Sequence, residues 1–183
     1  MSMRDIITLS DEQLAELVRS EDQELFREII SRYKTKLANY LRKFISSPDE
    51  LEDVLQDVFI KSFRNLFSFD TAKKFSPWIY RIAHNEAINH VKKRRHLSLD
   101  EHDWEIFDEK SDFKKDLDTE ILRTQLQNAL ANIKEKYREP LILYYFEEKS
   151  YDEIAEIMQL PKNTIGTLLS RAKKQMQKYL KKN

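Results

Sequence analysis

Residues 150–180 read SYDEIAEIMQLPKNTIGTLLSRAKKQMQKYL. Ser150 followed three residues on by Glu153 predicts a capping box, which satisfies the first free N–H groups of a helix. Ile154, Ala155, Ile157, Met158 and Leu160 give that helix an inner face. Leu160-Pro161-Lys162-Asn163 then forces a break, and Asn163 is a residue type suited to cap the helix that follows. In this second helix Ile165, Leu168, Leu169, Ala172, Met176 and Leu180 fall on one side. Thr164, Thr167, Ser170, Arg171, Lys173, Lys174 and Lys178 fall on the other. Two short helices joined by a tight turn form a helix-turn-helix, and the small Ala155 lets them approach closely.

No acidic residue follows Pro161, whereas Lys162, Arg171, Lys173, Lys174, Lys178, Lys181 and Lys182 do. Short polar side chains at the start of such a helix (Asn163, Thr164, Thr167, Ser170) reach base edges, while Arg and Lys hold phosphates. The pattern therefore points to duplex DNA rather than to a helical hairpin with a solvated lysine face.

Working outward, nearly the whole chain reads as helix. Ser10 and Gln13 predict a second capping box, opening a helix with Leu14, Leu17 and Val18 on one face. Leu25, Phe26, Ile29, Ile30, Tyr33, Leu37, Tyr40, Leu41 and Phe44 mark a long helix that Ser46-Ser47-Pro48 stops. The next helix carries Leu51, Val54, Leu55, Val58, Phe59 and Phe63, with a polar edge of Glu50, Glu52, Asp53, Gln56 and Asp57. After an aromatic loop, Phe67-Ser68-Phe69-Asp70, Ser76 and Pro77 predict the cap and first turn of a fourth helix. Its apolar face is Trp78, Ile79, Ile82, Ala83, Ile88 and Val91, and it ends on Lys92-Lys93-Arg94-Arg95. Residues 97–117 lose periodicity. Helical pattern resumes at Asp118 with Ile121, Leu122, Leu126, Leu130 and Ile133, and Pro140 then introduces a further buried helix from Leu141 to Phe146.

The expected fold is all-α: two small helical domains, residues 1–96 and 118–183, joined by a flexible acidic linker at 97–117, the C-terminal domain being the helix-turn-helix. The formal net charge of zero hides a division. The linker carries 8 acidic and 3 basic side chains, against 17 basic and 15 acidic before it, so two cationic sites are separated by an anionic connector.

Composition also excludes several function classes. The absence of cysteine rules out disulfides, thiol catalysis and Cys-based zinc sites. A single glycine, Gly166, cannot build a phosphate-cradling loop. His84, His90, His96 and His102 recur every six residues, turning about 600° along a helix, so neighbours do not share a face and read as exposed side chains rather than as a metal site. No catalytic constellation stands out, and no metal or cofactor is expected. No apolar run is long enough to span a bilayer and no apolar signal core opens the chain, so a cytoplasmic protein without membrane insertion is expected.

Two stretches carry a resemblance. YREPLILYYFEEKSYDEIAEIMQLPKNTIGTLLSRAKKQM resembles region 4 of the extracytoplasmic-function sigma factors, and SPDELEDVLQDVFIKSFRNLFSFDTAKKFSPWIYRIAHNEAINHVKKRR resembles region 2 of the same family. Their order and separation fit as well, so the likeness covers about residues 22–96 and 118–180. It implies a transcription initiation factor that binds core RNA polymerase and confers promoter recognition and −10 strand opening. Asp53, Gln56, Asp57 and Phe59 become the polymerase-docking candidates. Phe69, Asp70, Asn85, Asn89, Lys92, Lys93, Arg94 and Arg95 become the −10 candidates, acting on unpaired strand as well as duplex. Trp78 reads as core packing more than as a DNA contact. Lys162, Asn163, Thr164, Gly166, Thr167, Ser170, Arg171, Lys173 and Lys174 become the −35 candidates.

The resemblance further implies an anti-sigma partner, and a linker whose Asp100, Glu101, Asp103, Glu105, Asp108 and Glu109 mimic phosphates in a basic polymerase channel. Many family members carry Asp where this chain has Asn89, and Lys-Ser-Arg where it has Gly166-Thr167-Leu168, so neither promoter preference transfers. The rival reading is a stand-alone helix-turn-helix regulator that binds duplex operators without polymerase. The second cationic site and the aromatic loop speak against it.

Overall fold

The structure, a computed structural model, describes residue 6, residues 8–97 and residues 133–180. Residues 98–117 of the acidic linker and the helical pattern from Asp118 to Leu130 lie outside the described residues, and Leu97 is the last residue of the preceding helix. Every regular element among the described residues is helical.

Helix α1 (Asp11–Ser20) opens with the capping box expected of Ser10 and Gln13. A short 3-10 turn (Gln23–Leu25) leads into α2 (Phe26–Leu41). Helix α3 (Pro48–Asn65) is capped by the Ser47 side chain, with Pro48 in the first turn where its missing N–H leaves no bond unmade. A second 3-10 turn (Leu66–Ser68) and a loop lead into the long α4 (Phe75–Leu97). The second module holds α5 (Glu135–Tyr145), α6 (Tyr151–Met158) and α7 (Lys162–Leu180).

Three local details differ from the sequence reading. Helix α4 starts at Phe75, one residue before the expected cap, because a carboxylate from another helix meets its first turn: Phe75 N–H donates to Glu12 Oε1 at 2.8 Å. Ser76 is thereby released from capping and its hydroxyl accepts from Lys149 Nζ. Helix α7 starts at Lys162, so Asn163 lies inside the first turn; Pro161 supplies the opening carbonyl, accepting from Thr164 and Ile165 N–H. Pro140 sits within α5 rather than at its start, the helix beginning upstream at Glu135. As the sixth residue of α5 it lies past the four N–H groups that have no intrahelical partner, so it cannot supply the usual i→i−4 bond to the Lys136 carbonyl.

The core begins where the apolar faces of α1, α2, α3 and α4 meet, with Leu14, Ile29, Leu37, Leu41, Val58 and Ile79 fully buried. Aromatic rings knit it: Tyr33 meets Phe75 and Tyr40 meets Tyr80, with centroids 5.6 and 5.4 Å apart. Leu141, Ile142, Leu143, Ile154, Ile157, Ile165 and Leu169 continue it into the second module. The two modules are in contact, with α4 packed on α3 on one side and on α6 on the other.

The contact between modules is polar as well as apolar. Tyr40 donates to Glu139 Oε1 at 2.6 Å, and the same oxygen meets His84 Nδ1. Tyr80 donates to Glu147, and Lys149 lies over the Tyr80 ring. At the rim, Lys74 pairs with Glu153 at 3.2 Å. His84 and His90 are therefore not the exposed histidines expected: the first is drawn in by Glu139 and the second by Glu50.

Candidate nucleic-acid interface

On α7 the exposed residues are Lys162, Asn163, Thr167, Ser170, Arg171, Lys174, Gln177 and Lys178. Steps of three and four put Asn163, Thr167, Ser170 and Lys174 on one continuous stripe. Ile165, Leu169 and Ala172 are buried on the opposite side, which fixes the helix about its axis. Helix α6 ends on Gln159 in the left-handed conformation, and Pro161 follows, so the chain turns sharply and α7 crosses α6. The capping box at Ser150 and Glu153 is present, as the sequence indicates.

The candidates on α7 are not equivalent. Thr164 and Gly166 are half-buried. Lys162 Nζ is paired with Asp152 at 2.7 Å, and the Thr167 hydroxyl donates to the Asn163 carbonyl. Arg171 donates to the Tyr137 hydroxyl oxygen, which lowers that phenol's pKa. Lys173 is half-buried, its ammonium 5.2 and 5.6 Å from the centroids of Tyr144 and Tyr145. A bond to the Tyr145 hydroxyl holds it above the ordinary lysine range. Lys174 projects freely into solvent. A Cβ on Gly166 would meet only Tyr151 Cε2 at 3.8 Å, an ordinary contact, so the fold does not require glycine there.

The second cationic site builds on α4. Asn85, Asn89, Lys92 and Lys93 are all exposed and lie within about a quarter turn of one another. The side chains of Arg94 and Arg95 lie outside the described residues. Trp78 sits two turns before Asn85 on the same stripe, but its indole is only 6% exposed. It is covered by Phe69 from the loop between α3 and α4 and by Phe75 at the start of α4, with centroids 5.2 and 5.1 Å away. Trp78 is core.

The loop itself divides. The ring of Phe69 is turned inward, 4% exposed, so it supports the loop from beneath rather than offering a surface platform. Phe67 is 62% exposed, within the 3-10 turn whose Leu66 and the following Phe69, three residues apart, both face inward. Sequence spacing alone could not separate these two aromatics. Asp70 is exposed and its carboxylate accepts the Ala72 N–H at 3.0 Å, closing a tight turn.

A third surface is apolar. Phe26 and Ile30 of α2 and Leu55, Phe59, Ile60 and Phe63 of α3 line a groove of about 520 Å³, rimmed by Lys34, Glu52, Gln56 and Arg64. Asp53, Gln56 and Asp57 are exposed along this helix, while Phe59 is buried and forms part of the groove wall. Ile60 and Phe63, which sequence reading did not select for docking, are large apolar side chains of this groove left open to solvent. Among the described residues no group of three or more His, Asp or Glu side chains is placed to hold a metal ion, and no helix is long and apolar enough to cross a membrane.

Comparison with known proteins bears on both modules. Residues 29–97 match the family profile Sigma-70 region 2, and residues 123–176 match Sigma-70, region 4. The ECF RNA polymerase sigma factor SigW of Bacillus subtilis is 30% identical over 175 residues, covering 90% of this chain and 93% of that protein. The ECF RNA polymerase sigma-E factor of Haemophilus influenzae is 32% identical over 180 residues, covering 92% and 94%. Among solved structures, CnrH in complex with the cytosolic domain of CnrY has the same fold, with a TM-score of 0.70 at 22% identity over 94% of this chain and 98% of the other. The sigma factor RpoE of Bartonella quintana, solved with the anti-sigma factor NepR, gives 0.68 at 24% identity, covering 85% and 96%.

Proposed function

The chain belongs to the ECF RNA polymerase sigma factors, transcription initiation factors that bind core polymerase and give it promoter recognition and −10 strand opening, and on that premise we propose which surfaces divide the work. Residues 1–96 dock on core polymerase and handle the −10 element, residues 97–117 tether, and residues 118–183 handle the −35 element. The role is that of a non-catalytic specificity subunit acting in the cytoplasm.

The α2–α3 groove receives the polymerase, with Phe59, Ile60 and Phe63 supplying apolar area and Asp53, Gln56 and Asp57 steering the approach. Charged rims of this kind set association rate and register more than raw affinity. The α4 stripe of Asn85, Asn89, Lys92 and Lys93 lies along the −10 segment, with Arg94 and Arg95 next in sequence as phosphate-contact candidates. The loop from Phe67 to Lys74 takes up an unstacked base, with Phe67 and Asp70 at its surface and Phe69 as its buried support. Exposed aromatic rings and short polar groups are what unpaired bases seek. The α7 stripe of Asn163, Thr167 and Ser170 meets −35 base edges, while Arg171 and Lys174 hold phosphates.

The observation that carries this reading is the pair of exposed polar-cationic stripes, one on each module, on helices otherwise held by buried apolar faces. Each stripe alone binds weakly; a polymerase that spaces them lets both engage one DNA, and tethering multiplies their affinities. Two solved proteins of the same fold carry protein partners: CnrH with the cytosolic domain of CnrY, and the sigma factor RpoE with the anti-sigma factor NepR. By that likeness this chain is held in check by an anti-sigma partner too. The test is transcription in vitro from a genomic library with purified core polymerase: defined start sites sharing two upstream elements support the assignment, and no initiation from any template refutes it.

A further inference from the structure

The base-capturing loop is pinned at both ends by one helix. At its near end, Arg19 Nη1 donates to the Phe69 carbonyl at 3.0 Å; at its far end, Phe75 N–H donates to Glu12 Oε1 at 2.8 Å. Glu12 and Arg19 both belong to α1 and stand seven residues apart. Seven residues bring a helix back to nearly the same face and advance it by about 10.5 Å. The two side chains therefore form a brace of fixed span, and the chain between them, Asp70 to Lys74, must close over that span.

Neither pin is an incidental surface contact. The Glu12 carboxylate lies at the N-terminus of α4, where free N–H groups and the helix dipole both favour an anion. Glu16 lies 3.4 Å from the Arg19 guanidinium and holds it toward the loop. The brace is itself tied down: Tyr33 donates to Asp11 at 2.6 Å, and Arg32 reaches Asp11 and the Leu9 carbonyl, both at 2.9 Å. Beneath the loop, Phe69, Phe75 and Trp78 pack against one another, so its floor is fixed as well. What stays exposed above this frame is Asp70 and residues 72–74, at the head of the Asn85 stripe.

We infer that α1 is a positioning element for promoter opening: Arg19 and Glu12 hold the Asp70–Lys74 loop in the shape that receives an unpaired −10 base, without touching DNA themselves. The inference rests on the reading of that loop as the base-capturing element. A loop held in its receiving shape spends no ordering entropy when the base arrives. A loop freed at either end still permits polymerase docking and closed-complex formation, and loses the opening step.

The experiment compares Arg19→Ala, Glu12→Ala and Glu12→Gln with the parent, each as full chain with core polymerase. Opening is read from 2-aminopurine placed in the −10 element, and polymerase binding and thermal unfolding are measured in parallel. Glu12→Gln keeps an oxygen acceptor for the Phe75 N–H and is expected to open DNA like the parent. Arg19→Ala and Glu12→Ala are expected to slow opening by roughly tenfold or more, the scale on which a small misplacement of an organising group acts, with polymerase affinity unchanged. Equal opening by all variants overturns the proposal. Should Arg19→Ala not fold, the Glu12 pair decides: Ala and Gln opening alike also overturns it. Asp70→Ala and Phe67→Ala separate the two levels. If they leave opening intact, the loop reading itself fails; if they impair it while the brace variants do not, only the positioning role fails.

Discussion

The Tyr80 hydroxyl donates to Glu147 at 2.5 Å, joining α4 of the first module to the turn that follows α5 in the second. Burial pushes the Glu147 carboxyl above its ordinary range, offset in part by the Tyr80 bond and by Lys149, Lys43 and Lys36. Burial, Glu147 and the hydrogen bond together hold the Tyr80 phenol far above its own ordinary value. A carboxyl with a raised folded-state pKa binds its proton more tightly folded than unfolded. Its contribution to stability is therefore greatest below the ordinary carboxylate range and declines as pH rises through the folded value.

Tyr80→Phe removes the donor and leaves the carboxylate one partner short. Stability should fall by about 1–3 kcal/mol near neutrality, the cost of stranding a buried acceptor. Glu147→Gln keeps an acceptor and removes the charge, so it should hold or raise stability at neutral pH and flatten the decline that sets in above the ordinary carboxylate range, read at an acidic and a neutral pH. Urea denaturation of the two variants at both pH values checks the signs.

On α7, two neighbouring lysines should behave differently. Lys174 stands free and is expected to hold a phosphate; Lys174→Ala should reduce the salt dependence of duplex binding by about one unit of log–log slope. Lys173 is engaged with Tyr144 and Tyr145. Lys173→Ala should change that slope less and instead cost stability by about 0.5–1 kcal/mol, the range of an exposed cation–π contact. Salt titrations of binding, paired with thermal melts, separate the two.

Gly166 offers a sharper comparison. Its Cβ position is open apart from the Tyr151 ring, so Gly166→Ala should stabilise the helix by about 0.5–1 kcal/mol. If the backbone there approaches DNA closely, the same variant should bind the −35 element more weakly while melting at a higher temperature. A gain in stability with unchanged binding would mark Gly166 as a tolerated flaw in the helix.

For the polymerase-facing groove, Asp53→Lys with Asp57→Lys should slow association with core polymerase and leave helicity intact. Ile60→Ala with Phe63→Ala should instead speed dissociation, removing apolar anchors worth about 1–2 kcal/mol each. Surface plasmon resonance against immobilised core polymerase reads both rates.

What was legible in the sequence was short-range. The boxes at Ser10–Gln13 and Ser150–Glu153 involve partners within one turn, so residue order alone reveals them. The apolar faces of α2, α3 and α7 were equally plain, because helical periodicity sorts core from surface. The rest depended on chain segments far apart: Glu12 reaches Phe75 across 63 residues, Arg19 reaches Phe69 across 50, and Tyr40 reaches Glu139 across 99. No periodicity encodes such meetings. The same limit hid which of Phe67 and Phe69 turns inward, since a single 3-10 turn decides it.

Promoter recognition here depends most on two stripes that read one DNA molecule only when polymerase spaces them. The direct measurement is the affinity of the chain for a promoter fragment carrying both elements, with and without core polymerase, and with each element altered in turn. The free chain should bind weakly, gain orders of magnitude in affinity with polymerase, and lose most of that gain when either element is changed. Tight duplex binding without polymerase, or indifference to one of the two elements, would contradict this.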